Sequence, residues 1–318
     1  MATPDRKIDL NRLQEVCDEI AEEMMDSDEW GEASKQYKEL AEVDTRQFGI
    51  AVYTAGDDLI ASGKADERFT IQSISKVFAL TLALEAFGEK VWDRVGREPS
   101  GDPFNSIIDL EHQKGKPRNP FINAGALVTI DLLMSRKGKA EFVPDFVARL
   151  VGHKVGVNKG VAKSSKGGGF GNRAMANLAK FFDNLHHDVD DVMDAYAEQC
   201  AVMLSCKELA KAGDYLMVEG ADLKSAKDRK RAERVRRINS LMLTCGQYDG
   251  SGEFAYRVGL PAKSGVGGGI LAIAPNTASI AVWSPGLDAN GNSLLGTLAL
   301  ARLAEKMDWS IFGSLRRR

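Results

Sequence analysis

Strand-like segments stand near the two ends of this 318-residue chain, and most of what lies between them reads as helix and loop. FGIAVYT (48–54) and DLIAS (58–62) are short β-rich runs separated by Ala55, Gly56 and Asp57, the pattern of a hairpin. GGILAIAP (268–275) and ASIAVWSP (278–285) resume that character around a Pro275-Asn276 turn. The economical solution is one antiparallel sheet built from both chain ends and flanked by helices, with a helical lobe made from the middle. The fold class is therefore α/β, with a cleft expected between the two parts.

Helical periodicity fills in the rest. Leu10, Leu13, Val16, Ile20 and Met24 form the stripe of an amphipathic helix over 8–25. SKVFALTLALEAFG (75–88) is almost continuously apolar, which predicts a buried helix stopped by Gly88. Further helices are expected at 123–136, 141–151, 172–183, 189–200, 225–243 and 294–307. This organisation predicts a single domain over 1–318, with a sheet lobe of about 30–72 and 245–312 and a helical lobe of about 73–244. No fixed-period repeat is present, and no regulatory domain is expected after the last helix.

Composition narrows the function classes. Forty-two Lys+Arg against 45 Asp+Glu leave a formal charge of −3, which offers no global attraction to nucleic acid or an anionic membrane. A small neutral or zwitterionic partner fits better. MATPDRKIDLNRLQ reaches mixed charge before any apolar run, so secretion and membrane insertion are not expected and the location is read as cytoplasmic. Cys17, Cys200, Cys206 and Cys245 have no CxxC spacing and read as reduced thiols. KSAKDRKRAERVRR (224–237) interleaves Asp228 and Glu233 with its basic residues and reads as a solvated helix face. GVNKGVAKSSKGGGFG (156–171) is rich in Gly, Ser and Lys and reads as a loop.

Chemistry concentrates at Ser73-Ile74-Ser75-Lys76, an S-x-x-K arrangement at the start of the apolar helix. Three-residue spacing brings a hydroxyl and an amine to one helix face, and a lysine whose pKa burial has lowered can take the serine's proton. Lys263-Ser264-Gly265, followed by Val266-Gly267-Gly268-Gly269 and an apolar strand, parallels the K-T-G strand opposite the nucleophile in penicillin-recognising serine enzymes. Glycines there let the backbone approach a substrate, and a backbone N–H beside that of Ser73 would form an oxyanion hole. Asn123, in NPFINAGA, reads either as a carboxamide facing the cleft or as a helix N-cap. GxxxxGK[ST], G-x-S-x-G and HExxH are absent, and His186-His187-Asp188 lacks ligand spacing, so neither metal nor cofactor is expected.

These segments resemble the bacterial-type glutaminases, relatives of the serine β-lactamase fold that hydrolyse L-glutamine to L-glutamate and ammonia. The resemblance runs through FTIQSISKVFALT (69–81), VGREPSGDPFNS (95–106), PRNPFINAGA (117–126), the stretch 241–276 and SPGLDANGNSLLG (284–296). It implies that Ser73 is acylated, that Lys76 is its base and that Tyr248 relays a proton to the departing amine. It also implies that Asn123, Asn172 and Tyr196 contact substrate, that the Val266 N–H faces the oxyanion, and that the protein is a homo-oligomer, a dimer or tetramer.

Three positions depart from the family pattern, one of them Gly171 in place of an arginine. In the other two, a glutamate that receives the substrate's α-ammonium is replaced by Ser165, and a substrate-contacting tyrosine by Gln36. Tyr37 is a candidate substitute from one position away, although a shifted side chain normally points elsewhere. Losing a buried ammonium–carboxylate pair costs a few kcal/mol of binding. Three readings follow: a glutaminase-type amidohydrolase acting on glutamine or on another amide, a β-lactam-recognising protein, and a catalytically lapsed binding protein.

Overall fold

The computed structural model describes residues 8–100, 106–137, 142–217 and 225–313; expectations for 1–7, 101–105, 141 and Lys224 lie outside them. The strands are β1 (Gly49–Thr54), β2 (Leu59–Gly63), β3 (Phe69–Thr70), β4 (Gly156–Val157), β5 (Val202–Leu204), β6 (Ala262–Ser264), β7 (Gly269–Ala274) and β8 (Ala278–Trp283). The main sheet has the order β2-β1-β8-β7-β6 with every pair antiparallel. Gly49 lies opposite both Gly63 and Trp283, so the two predicted hairpins share one sheet, as expected from the chain ends. Not foreseen is a second, three-stranded sheet of order β3-β5-β4 at the entrance to the helical lobe.

The first helices are α1 (Leu10–Met25), α2 (Lys38–Ala41), α3 (Ser75–Phe87), α4 (Val91–Arg94), α5 (Ile108–His112), α6 (Asn123–Lys137) and α7 (Phe142–Val151). Then come α8 (Lys159–Gly168), α9 (Phe170–Phe181), α10 (Val189–Cys200), α11 (Cys206–Ala212), α12 (Ala226–Cys245), α13 (Ser251–Arg257) and α14 (Leu294–Met307). Residues 156–171 correct the sequence expectation: they are not a loop but the start of α9 preceded by β4 and by α8, whose N-cap Asn158 accepts from the Val161 N–H. Here a side-chain cap and the packing of Val161 against Tyr37 and Ala201 outweigh the low helix propensity of glycine.

Period-two alternation sorts the sheet's side chains between two cores. Ile50, Val52, Ile270, Ala272, Ile280 and Val282 pack with Leu13, Val16 and Ile20 of α1 and with Ala299, Leu300 and Leu303 of α14. Ala51, Leu271, Ile273, Ala281 and Trp283 face the helical lobe, centred on α3. Helix α3 is buried on every side from Ser75 to Leu84, and it ends where Gly88 adopts φ 57°. A helix without a polar face needs neighbours all round, and α6, α7 and α12 supply them. Among the described residues no helix is long and apolar enough to cross a membrane. The basic run on α12 is exposed through most of its first turns, with Arg234 and Arg237 paired to Glu85 and Glu89 at the end of α3 and beyond it.

Candidate active site

Ser73 sits in a 3₁₀ turn, Gln72–Ile74, between β3 and α3. The turn is anchored from below by the Ile71 N–H donating to the Val202 carbonyl at 2.9 Å, and Gln72 Nε2 donates to Thr70 Oγ1 at 2.9 Å. Gln72 adopts φ 48°, and Tyr248 adopts φ 49°. Such left-handed conformations cost of order 1–3 kcal/mol outside glycine and cluster at sites that need them.

Lys76 enters one turn later and is fully enclosed. Its Nζ donates to the Phe121 carbonyl at 3.1 Å and to Asn123 Oδ1 at 2.6 Å. Burial lowers its pKa from 10.5 to about 8. A neutral amine has two N–H groups and one lone pair. With both N–H groups engaged, the lone pair is the remaining direction, and Ser73 is one turn away.

The carboxamide of Asn123 is a junction. Oδ1 accepts from Lys76 and, at 3.3 Å, from the Tyr196 hydroxyl, while Nδ2 donates to Asn172 Oδ1 at 2.9 Å. The N-cap alternative therefore fails. The side chain that receives N–H groups at this entrance is Asn119, whose Oδ1 accepts from Phe121 and Ile122. Asn123, Asn172 and Tyr196, from α6, α9 and α10, meet around the Lys76 amine, and all three are buried.

Tyr248 closes the other side. Its hydroxyl faces the Ser73 side chain and the Val266 backbone N–H, and it donates to the Ser264 carbonyl at 3.5 Å. Burial pushes its pKa up to about 12, against the pull of Ser73, Ser264 and Val266. Gly265 and Gly267 press this loop onto the segment that leads to Ser73. A Cβ on Gly265 would lie 2.5 Å from the Ile71 carbonyl oxygen, and one on Gly267 2.6 Å from that of Thr70. The Gly267 carbonyl in turn accepts from Trp283 Nε1 at 3.0 Å, and Trp283 stacks on Phe69 with ring centroids 5.4 Å apart.

Ser165 is buried on α8, and the Tyr37 hydroxyl donates to its Oγ at 3.1 Å. Gln36 Nε2 donates to the same hydroxyl at 2.9 Å. This corrects the expectation that Tyr37 points elsewhere: residue 37 precedes α2 with extended backbone, which turns the tyrosine inward and leaves Gln36 exposed. Tyr37 packs with Leu40, Val161 and Ala201, and Val266 lies against that cluster, so the hydroxyl pair adjoins the glycine loop. The polar groups that meet here are neutral.

Sequence reasoning missed three contributors. Lys263 Nζ donates to the Gly246 and Ser264 carbonyls at 3.0 and 2.7 Å and lies over the Tyr248 ring. The Ser264 hydroxyl is turned to Asn292, which holds the Gln247 carbonyl. The Phe121 carbonyl is a backbone atom with no residue-type signature. Lys263 was visible within K-S-G but carried no individual role. His187 belongs elsewhere: its Nδ1 lies 2.9 Å from Asp131 Oδ1, in a buried knot with Arg94.

A family model described as Glutaminase matches residues 31–312. A glutaminase of Rhodopseudomonas palustris (strain ATCC BAA-98 / CGA009) is 52% identical over 305 residues, covering 95% of this chain and 98% of that protein. A glutaminase of Azorhizobium caulinodans is also 52% identical, over 95% of this chain and 99% of the relative. Among solved structures, a probable glutaminase, ybaS, superposes with TM-score 0.89 at 37% identity, covering 96% of this chain and 99% of the other. A probable glutaminase of Bacillus subtilis gives TM-score 0.83 at 33% identity, covering 95% and 98%.

Proposed function

Since the chain belongs to the glutaminase family, has its β-lactamase-like fold and is a glutaminase-type hydrolase, we propose that it converts L-glutamine to L-glutamate and ammonia through an acyl-enzyme on Ser73. The observation that carries this reading is the convergence of Ser73, Tyr248 and the Val266 N–H, with Lys76 one turn along and held through Asn123. Neutral Lys76 takes the Ser73 proton as Oγ attacks the side-chain carboxamide carbon. The Val266 and Ser73 N–H groups receive the oxyanion. Tyr248 protonates the nitrogen, the C–N bond breaks, ammonia leaves, and Tyr248 recovers a proton from the Lys76 ammonium. Water then attacks the ester, giving up a proton to Lys76, and Ser73 is restored. Asn123, Asn172 and Tyr196 orient the substrate.

Ammonia release from glutamine, lost in Ser73→Ala, is the expected result; unchanged release in that variant would sink the proposal. The protein is proposed to work in the cytoplasm as a homo-oligomer, which size measurement by light scattering tests.

A second reading of specificity rests on the Tyr37–Ser165 pair. If the substrate's α-amino end reaches this pair, two hydroxyls and the Gln36 amide offer an ammonium hydrogen bonds but no opposite charge. An amide with a neutral group at that end then competes well with glutamine. A panel of glutamine, N-acylated glutamine and glutaramic acid measures this. Ser165→Glu should lower KM for glutamine by one to two orders of magnitude, and a KM that stays put or rises would refute the assignment.

A further inference from the structure

The first half of α12 holds seven cations and two carboxylates between Lys227 and Arg237, in a chain whose net charge is −3. Arg234 and Arg237 are taken up by Glu85, Glu89 and Glu233. Lys227, Lys230, Arg231 and Arg236 are exposed and make no ion pair among the described residues. Residues 225–231 are exposed without a break, so this end of the helix stands clear of the helical lobe behind its Ser225–Asp228 capping box. Its apolar residues as far as Arg234 are Ala226 and Ala232 alone, which leaves no apolar face to enter a membrane.

The opposite charge is concentrated on α1. Nine carboxylates and a single arginine stand between Asp9 and Glu29. Leu13, Val16, Ile20 and Met24 are buried against the sheet, and the carboxylates occupy the side of α1 left to water. Arg302 and Lys306 of α14 pair with Glu23 and Glu19, and Arg12 lies beside Glu15 and Glu19. Asp18, Glu22, Asp26, Asp28 and Glu29 are exposed and make no ion pair among the described residues.

The two helices also match in spacing. Glu15, Asp18 and Glu22 stand at i, i+3 and i+7 on α1, and Lys227, Lys230 and Arg234 repeat that spacing on α12, with Arg231 beside them. Residues so spaced form one ridge, and seven residues of helix span about 10 Å. Laid side by side, the ridges bring a cation to a carboxylate along their whole length. One copy cannot make this contact with itself, because α1 lies on the sheet face away from the helical lobe and α12 packs with α3 inside that lobe. A nucleic acid would meet the carboxylates of α1 and a net negative charge, whereas a second copy brings its own carboxylates to the amines.

We infer that copies of this chain meet head to tail, the basic ridge of α12 on one lying along the acidic ridge of α1 on the next. The contact joins two different surfaces, so every addition leaves a further α12 and a further α1 open and the assembly grows. Ion pairs between exposed side chains are weak singly and are screened by salt, so growth belongs to low ionic strength.

Sedimentation velocity of the full chain in about 20 mM and about 0.5 M NaCl tests this, since the screening length falls from about 20 Å to about 4 Å between them. The weight-average mass should be at least about twofold higher in the low salt; any oligomer that persists in the high salt is the baseline. The triple variant Lys227→Glu/Lys230→Glu/Arg231→Glu should lose the salt-dependent growth, and so should Asp18→Lys/Glu22→Lys. Mixed in equal amounts, these two variants hold one intact α1 and one intact α12 between them, so the mixture should regain growth that neither shows alone. Thermal melts establish that each variant is folded, and either one suffices if the other is not. A wild-type mass equal in both salts would overturn the inference, as would growth that survives in the folded α12 variant. A wild type that stayed unassociated in low salt yet bound a short DNA duplex through α12 would overturn it too, in favour of a polyanionic partner.

Discussion

Lys76 is held in a site that prefers it uncharged, and that preference has a stability cost. Its pKa falls from 10.5 to about 8 because burial strips the ammonium of water. Below about pH 8 the folded protein must either bury the charge or hold off the proton, whereas the unfolded chain charges the amine freely. The cost is complete below the folded pKa and disappears as pH rises from about 8 toward 10.5. Lys76→Met should therefore abolish turnover and yet raise stability by roughly 2–4 kcal/mol at pH 6. The gain should shrink toward pH 10. Urea denaturation of both proteins across that range measures it, and a variant less stable at pH 6 would contradict the argument. In the wild type, kcat/KM for glutamine should fall as pH drops through about 8, as Lys76, the proposed base, becomes protonated.

Elements meet at this site through backbone as much as through side chains. The loop after β6 lies on the strand that leads to Ser73 because Gly265 and Gly267 have no Cβ. The atoms a methyl would strike are the carbonyl oxygens of Ile71 and Thr70, which cannot rotate away. Gly265→Ala should cost about 1–3 kcal/mol of stability. By moving the Val266 N–H away from Ser73 it should cost about 100-fold in kcat. Thermal melts and steady-state kinetics on one preparation separate the two effects. A second junction ties α4 and α6 to the segment before α10. Asp131, fully buried, accepts from Arg94, from the backbone N–H groups of His186 and His187 and from the His187 ring. Burial alone would raise its pKa, but those donors outweigh it and hold the carboxyl below 3.8. Its contribution is present above the unfolded value and is lost as pH falls through the lowered folded one. Asp131→Asn should cost about 3–5 kcal/mol at pH 7 by leaving Arg94 unpaired. The deficit should close in acid unfolding below pH 3.8.

At the scale of the molecule, the sheet joins residues far apart in the chain and separates two cores. β1 pairs with β8 across more than two hundred residues, and α1 packs beside α14 on the sheet face away from the site. Stability and catalysis should be separable on that face. Ile20→Ala removes a fully buried side chain from the α1–sheet core and should cost about 2–5 kcal/mol. The kcat of the folded protein should be unaltered. A change in kcat beyond about twofold, at a temperature where the variant is folded, would show that the two cores are coupled.

Periodicity and punctuation carried much of this into view before any coordinates. The hairpin at 48–62, the strands at 268–285, helix α3 and its stop at Gly88, and helices α10 and α14 each show a period or a turn residue whose physics is local. Ser73 and Lys76 were legible for the same reason, since three-residue spacing on a helix is local geometry. What remained hidden depended on contacts across the chain. Residues 156–171 have a composition that suggests a loop, and packing against Tyr37 and Ala201, added to the Asn158 cap, makes part of them a helix. The inward turn of Tyr37 toward Ser165 spans 128 residues. The use of Asn123 as the hinge between Lys76 and Asn172 joins three helices, and no spacing rule reaches across helices. Lys263 over Tyr248 is the same kind of fact: the residue types are in the sequence, but the face of a ring acquires an electrostatic partner only when folding brings a cation over it.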